Sequence, residues 1–539
     1  MTKRLVRASL LLIILSACAP ATPTPFVPTQ GGPAPASPSS SIPEAAQLPW
    51  WREVVFYEIF VRSFYDTDGN GIGDFNGITQ KLDYLQELGV NAIWLMPIHP
   101  SPSYHGYDVL NYYAVNTEYG TMDDFKNLLR EAHNRDMRII IDLILNHTSS
   151  QHPWFVDANR SPDSAYRDYY VWSDARQGNY WSEGQNGYYF SFFCDCMPDL
   201  NYRNPEVTAQ MEKVIRFWLE DIGVDGFRVD AAKHLIEEDG KVENTAATHE
   251  WYKGFYTFYK SQNPQAYTVG EAYGGGAFVA GTYQEQFDHI FNFEFASGFM
   301  SSAQAGTNSP VNSAIKFALA DKPDFDFATF LTNHDQNRVM SVLDGNVDQA
   351  KVAASLLLTS PGTPFIYYGE EIGMQGEKPD EDIRLPMQWN SEASAGFTSG
   401  RPWRAPAQDY EEINVAAQDQ QADSLLNHYR ELLRLRAEHT ALSSSDIVLL
   451  ETENPSVYAV LRSSADERIL VLINLEGTPI SDYLLSLGES LLLTAGEITP
   501  LTLFGTVEAT PVTVSEGKFT GYKPVDELSP YGTYIFQLE

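Results

Sequence analysis

Apolar residues in this chain gather into eight short, nearly unbroken runs. They read VVFYEIFV (54–61), NAIWLMPI (91–98), RIIIDLIL (138–145), VDGFRVD (224–230), YTVGE (267–271), HIFNFEF (289–295), FATFLTN (327–333) and TPFIYYG (363–369). A strand with one wet face alternates apolar and polar residues, so a continuous run predicts a parallel strand covered on both faces. Between the runs the spacing becomes that of helices with one apolar face, as in ITQKLDYLQELG (78–89), DDFKNLLREAHNR (123–135) and PEVTAQMEKVIRFWLEDIG (205–223). The first and third end in glycine, a frequent helix stop. Eight strand–helix units predict an α/β fold, the (β/α)8 TIM barrel, which in its plain form needs about 250 residues.

The chain has 539 residues, and the surplus falls in two places. Residues 148–203, after the third strand, are aromatic, glycine-rich and polar, and too long for a plain loop; they predict a small inserted domain. After a helical pattern at 424–442 the texture changes to short alternating strands at 457–463, 468–475 and 532–539, which predicts a C-terminal antiparallel β-sandwich. The barrel is thus expected in two parts, 50–147 and 204–442, with the sandwich at 443–539.

The N-terminus has another character. Lys3, Arg4 and Arg7 precede an apolar run at 10–15 and then LSAC at 15–18. The run is too short for a permanent membrane helix and reads as a targeting segment. Small residues before a cysteine resemble a bacterial lipoprotein signal. That would leave Cys18 as the lipidated first residue of an extracytoplasmic protein anchored to a membrane surface. An ordinary secretory signal is the alternative. Residues 19–49, rich in Pro, Thr, Ser, Ala and Gly, predict an extended tether.

Charge excludes one class of partner. Asp and Glu number 71 against 36 Lys and Arg, a net charge of −35, and so acidic a surface repels phosphate backbones; nucleic acid is not an expected partner. Cys194 and Cys196 form a Cys-Asp-Cys triplet, too little for a disulfide framework. A bridge between the two is open, and a metal site is disfavoured because, with Cys18 in the N-terminal signal, no further cysteine and no nearby histidine is at hand. The chain is expected to act as a monomer.

Active sites of TIM barrels form at the C-terminal strand ends. There this sequence places Asp142, Asn146 and His147 after the third strand, Arg228 and Asp230 on the fourth, Glu271 on the fifth, and His334 and Asp335 on the seventh. Buried charge is costly unless paired or functional. Acids from three strands converging on one mouth predict an enzyme that cuts glycosidic bonds with paired carboxylates. A second motif, DTDGNGIGD (66–74), sets oxygen-bearing side chains at alternate positions: Asp66, Asp68, Asn70 and Asp74, with Ile72 offering its carbonyl. This is calcium-loop chemistry, although Gly77 stands where an EF-hand has its closing Glu.

The segments DLILNH (142–147), GFRVDAAKH (226–234), VGEAY (269–273) and FLTNHDQNR (330–338), with MPDLN (197–201) and HGYDV (105–109), resemble the α-amylase superfamily, glycoside hydrolase family 13, over roughly residues 50–440. The resemblance implies Asp230 as nucleophile, Glu271 as acid/base and Asp335 as stabiliser of the transition state. It implies Tyr107 stacked on the sugar, His147 and His334 bonded to the same sugar, and Lys233 and His234 beyond the cleaved bond. Arg228 would keep Asp230 ionised, while Glu271 needs a raised pKa. Calcium is implied in the 66–74 loop, and a second calcium on Asn146, Asp199 and the carbonyl of His234. Ala231 and the Lys233-His234 pair point to an endo-acting α-amylase cutting α-1,4 links in starch, glycogen and maltooligosaccharides. RLPMQWN (384–390) and AGFTSGRPW (395–403) resemble the exo-acting branch instead, and MPDLN lies between the oligo-1,6-glucosidase and neopullulanase patterns. The alternative is therefore an exo-α-glucosidase, oligo-1,6-glucosidase or transglycosylase. A non-catalytic glucan-binding lipoprotein is a further class, and the three intact acids argue against it.

Overall fold

The computed structural model describes residues 49–274, 276–321, 327–488, 490 and 492–538. The expected signal, Cys18 and the tether up to residue 48 lie outside the described residues. Each apolar run forms a strand: β1 Phe56–Ile59, β2 Ala92–Leu95, β3 Arg138–Leu143, β4 Gly226–Val229, β5 Tyr267–Gly270, β6 His289–Phe291, β7 Phe327–Phe330 and β8 Thr363–Tyr367. All pairings among them are parallel, and the order β1-β8-β7-β6-β5-β4-β3-β2 closes a barrel.

Side chains alternate across a strand, so one set fills the barrel and the other meets the helices. The lower interior is apolar: Phe56, Ala92, Ile140, Tyr267, Phe291, Ala328 and Phe365 are buried together, with the Phe56 and Phe365 rings stacked at 4.4 Å. The helices begin where cap chemistry says they should. Asp74 accepts from Gly77 N–H at the start of Phe75–Leu88, and Thr121 and Asp124 make a reciprocal capping box at Met122–His133. Asn204 caps Pro205–Arg216, and the helical path continues to Ile222 before Gly223 ends it in the left-handed region.

One run was read too long. The HIFNFEF pattern predicts strand to 295, but the strand ends at Phe291 and a helix, Phe293–Ala305, begins at once. The cause is Asn292, whose Oδ1 accepts from the N–H groups of Glu294 and Phe295. A side-chain cap overrides an apolar pattern that suits strand and helix equally.

Residues 148–203 carry a helix, Pro153–Arg160, and a three-stranded antiparallel sheet of Trp172–Ser173, Trp181–Gly184 and Gly187–Phe190. The segment returns to the barrel through a bridge between His147 and Asp199, which ties it to the end of β3. C-terminal to the barrel, antiparallel sheets built on Val457–Ser463, Arg468–Asn474 and Thr533–Gln537 enclose a second apolar core around Leu470, Leu472, Leu485 and Phe536. Among the described residues no helix is long and apolar enough to cross a membrane.

Candidate active site

The upper layer of the barrel interior is polar. Glu58, Trp94, Asp142 and Arg228 each stand two residues beyond Phe56, Ala92, Ile140 and Gly226, so they point inward as those positions do. The register sets Glu58 beside Trp94 and Asp142 beside Arg228. A fully buried guanidinium must find partners, and Arg228 finds three carboxylates. Its Nη1 donates to Asp142 Oδ1 at 2.8 Å and Asp230 Oδ1 at 2.7 Å; its Nη2 donates to Glu271 Oε2 at 2.8 Å. Sequence reasoning assigned Arg228 to Asp230 alone. The structure makes it the hub of the whole cluster, because Asp142 and Glu271 arrive from the adjacent strands.

Asp230 lies one residue past β4, and the chain then bends sharply. Ala231 adopts a left-handed conformation, φ 46°, which costs an alanine about 1–2 kcal/mol. The bend lets Ala231 N–H donate to Glu271 Oε2 at 3.1 Å and Ala232 N–H to the Glu271 carbonyl at 2.9 Å. The two carboxyl groups are thus joined through one guanidinium and one backbone turn.

Across the mouth, His334 Nδ1 lies 2.5 Å from Glu58 Oε1, and its Nε2 lies 2.6 Å from the Tyr107 hydroxyl and 3.3 Å from Asp335 Oδ2. Tyr107 also reaches Asp142 Oδ2 at 3.3 Å, and its ring stacks on the His334 ring at 5.7 Å and 15°. Arg384 donates to the His334 carbonyl, to Asp335 Oδ1 at 2.9 Å and to Asp380 Oδ2 at 3.1 Å. On the other side His147 is buried, and among the described residues its Nε2 has no hydrogen-bond partner. Lys233 pairs with Glu243 at 2.8 Å, while His234 Nδ1 meets the Val242 carbonyl and its ring stacks on Phe192 at 3.9 Å.

These groups surround one open cleft of about 570 Å³. Tyr107, His147, Asp230, Lys233, His234, Glu271 and Asp335 all line it, whereas Arg228 lies beneath as the hub. Phe192, Phe193, Tyr273, Asp380 and Arg384 also line the cleft and were not among the candidates. Arg384 opens the RLPMQWN motif, whose sequence resembles the exo-acting branch and carries no local sign of this contact. Phe192 and Phe193 come from the inserted segment, close to Cys194 and Cys196, which are joined by a disulfide.

Burial dominates the electrostatics. It pushes the Glu271 carboxyl up, against the pull of Arg228 and with the help of Asp230 and Asp335. It pushes Asp230 up as well, with Arg228 opposing, and raises Asp142 to about 7. At Asp335 burial also works upward, but His334 and Arg384 outweigh it and hold the carboxyl below its ordinary range. Burial lowers His147 to about 4, so it is neutral at pH 7.

The 66–74 loop draws the carboxylate oxygens of Asp66, Asp68 and Asp74 within 4.8 Å of one another. Asn70 joins through Nδ2, which donates to Asp68 Oδ2, and Ile72 N–H donates to Asn70 Oδ1. The loop is clamped from outside by 397–403. Asp66 N–H donates to the Phe397 carbonyl, Thr398 Oγ1 donates to Asp66, and Trp403 N–H donates to the Gly71 carbonyl. At Gly71, φ 92°, a Cβ would lie 1.9 Å from the Arg401 carbonyl oxygen, so only glycine fits. The oxygen-only donor set suits a hard cation. At the second expected metal position Asn146 Nδ2 lies 2.9 Å from Asp199 Oδ2, while Asn146 Oδ1 is buried and meets no donor among the described residues. Burial, then Glu237, raises the Asp199 carboxyl well above its ordinary value.

Residues 58–445 match the family described as alpha amylase, catalytic domain. A protein named alpha-amylase 3 from Dictyoglomus thermophilum is 43% identical over 436 residues, covering 79% of this chain and 85% of its own. An oligo-1,6-glucosidase from Parageobacillus thermoglucosidasius is 33% identical over 514 residues, covering 80% of this chain and 91% of its own. Among solved structures, an alpha-amylase from H. orenii aligns with a TM-score of 0.79 at 38% identity, over 90% of this chain and 100% of that one.

Proposed function

Because the chain belongs to the α-amylase family of glycoside hydrolases, we propose that it is a retaining, endo-acting α-amylase that cuts α-1,4-glucosidic links in starch-like glucans. The observation that carries the reading is the bridging of Asp230 and Glu271 by Arg228 at the floor of an open cleft. One planar guanidinium between two carboxyl groups favours the narrow separation of retaining enzymes, about 5–5.5 Å, over the roughly 6.5–9.5 Å that leaves room for a water in inverting ones.

In this mechanism Asp230 attacks the anomeric carbon while Glu271 gives its proton to the departing glycosidic oxygen. A glucosyl ester forms on Asp230. Glu271, now a carboxylate, takes a proton from water, and that water releases the sugar with its anomeric configuration retained. Arg228 compensates the charge on Asp230, and burial equips Glu271 to hold its proton. Asp335, kept ionised by His334 and Arg384, faces the positive charge that develops on the ring. The unpaired Nε2 of His147 is a hydroxyl partner for the same ring, and His334, buried with both ring nitrogens engaged, holds Tyr107 and Asp335 in place beside it. The 66–74 loop would hold calcium through Asp66, Asp68, Asn70, the Ile72 carbonyl and Asp74. Asn146, Asp199 and the His234 carbonyl would hold a second ion that ties the inserted segment to β3.

A second reading has its own support. Arg384, Asp335 and Asp380 form an ion-paired group lining the cleft, and a closed pocket built on it would suit an exo-acting glucosidase. Chromatography of early products from soluble starch, maltotriose, isomaltose and an end-blocked maltoheptaoside separates the two. Endo-action predicts rapid shortening of starch and cleavage of the blocked substrate. Glucose from the short sugars with the blocked substrate untouched would assign the exo reading.

The calcium reading makes a separate prediction in stability. A ligand at a hundred times its dissociation constant stabilises the folded state by about 2.7 kcal/mol. Adding EGTA is therefore expected to lower the unfolding temperature. Asp68→Ala, at an exposed ligand position, should weaken calcium binding measured by titration calorimetry. An unfolding curve unmoved by EGTA, with no binding heat, would contradict it.

A further inference from the structure

Beside the cleft, behind Tyr107 and Asp335, lies a buried ion pair that the mechanism above does not use. Glu58 sits on β1 inside the barrel, 2% exposed, and its Oε1 lies 2.5 Å from Nδ1 of His334, which is fully buried. On the other side of the ring, Nε2 faces Asp335 Oδ2 at 3.3 Å and the Tyr107 hydroxyl at 2.6 Å. Each ring nitrogen thus has a carboxylate oxygen within reach. A neutral imidazole donates from one nitrogen and presents a lone pair at the other. With the proton on Nδ1 alone, the Nε2 lone pair would point at Asp335; with it on Nε2 alone, the Nδ1 lone pair would point at Glu58. The Tyr107 hydroxyl can give a proton to Nε2 or accept one from it, so the choice between the neutral Nδ1–H ring and the doubly protonated one falls to the flanking charges, and two carboxylates within reach of one ring favour the cation.

We propose that Glu58 is a positioning residue that keeps His334 as an imidazolium, so that a fixed cation stands beside Asp335 and Tyr107, the two residues that carry its effect into the cleft. Its importance for turnover rests on the glycosidase reading; its effect on the charge of His334 does not. The other groups facing the ring are consistent with that charge. Asp142 and Asp230 from β3 and β4 each interact with it, and Trp94 on β2 meets it edge to face at 5.6 Å. Arg384 opposes the charge, yet binds the His334 carbonyl rather than the ring. Burial also opposes it, but Asp335 and Glu58 prevail and hold the histidine pKa above its ordinary value. With the ring charged, the bonds from Nε2 run outward in one sense: His334 Nε2–H to the Tyr107 oxygen, and the Tyr107 hydroxyl on to Asp142 Oδ2 at 3.3 Å. A charged His334 therefore also fixes the direction of the hydroxyl next to Arg228.

Glu58→Gln tests charge apart from position, because the amide oxygen still accepts from Nδ1–H while the negative charge is gone. A histidine is charged below its pKa, and Glu58 raises that pKa, so the variant should lose the imidazolium at lower pH than the wild type. The expected result is a basic limb of kcat/KM on maltooligosaccharides displaced downward by about one pH unit or more, with the plateau at lower pH changed only a few-fold. Glu58→Ala, which also frees the ring, should lose about 10²-fold at the plateau as well. In parallel, ¹⁵N NMR of histidine-labelled protein, with His334 assigned through His334→Asn, should show both ring nitrogens protonated at pH 7 in the wild type and one in Glu58→Gln. Coincident pH profiles for wild type and Glu58→Gln, or a neutral His334 in the wild type at pH 7, would overturn the inference. Failure of the wild type to hydrolyse any α-glucan would overturn the glycosidase reading instead, and the NMR titration would still decide the charge on His334.

Discussion

Asp230→Asn is expected to lower kcat on maltooligosaccharides by about 10⁴-fold or more, the scale seen when an enzyme loses its nucleophile. The variant should remain folded. Asn has nearly the shape of Asp, and Arg228 keeps two of its three carboxylate partners, Asp142 and Glu271. Glu271→Gln should cost less, about 10²–10⁴-fold, because a missing proton donor slows departure of the leaving group but leaves the nucleophile in place. That order of effects separates the two carboxyl groups by role. Equal and small losses from both, with unchanged circular dichroism, would mean that neither takes part in the chemistry.

The second large effect belongs to Arg228→Met. Methionine fills the volume and removes the charge at the centre of Asp142, Asp230 and Glu271. Breaking a buried ion pair from one side leaves the other side uncompensated and costs about 3–5 kcal/mol. The variant should unfold at markedly lower urea concentration at pH 7 and show negligible turnover. The deficit has a sign in pH. Carboxylates stranded without a cation have raised pKa values and shed their repulsion by taking protons, so the variant should recover stability relative to wild type as pH falls from 7 towards 5. A urea midpoint equal to wild type at pH 7 would show that Arg228 is not the electrostatic hub described here.

The barrel was legible in the sequence because strands covered on both faces must be apolar throughout, and eight such runs stand out from helices with one polar side. The acids were legible for the same reason, since Asp230, Glu271 and Asp335 sit next to residues that could only be buried. The misreadings also have causes. HIFNFEF carries no sign in its hydrophobicity that Asn292 will turn the chain, because capping is a single hydrogen-bonding choice rather than a pattern. Glu58 was in plain view as the one acid within VVFYEIFV, but its partner lies 276 residues away in His334. Arg384 meets Asp335 across 49 residues, and Thr398 meets Asp66 across 332. Such contacts follow from barrel closure and have no local signature. The motif AGFTSGRPW shows this most clearly: it reads as a family label, while in the fold it is the clamp on the 66–74 loop.

The chemistry and the geometry meet in one species, the glucosyl ester on Asp230. Incubation with a fluorinated glucosyl fluoride, which slows release of the sugar from a retaining enzyme, followed by proteolysis and mass spectrometry, looks for it directly. The expected result is one added fluoroglucosyl group on the peptide containing GFRVDAAKH, at Asp230, and none in Asp230→Asn. No adduct on active wild-type protein, or an adduct on a different carboxylate, would contradict the retaining mechanism with Asp230 as its nucleophile.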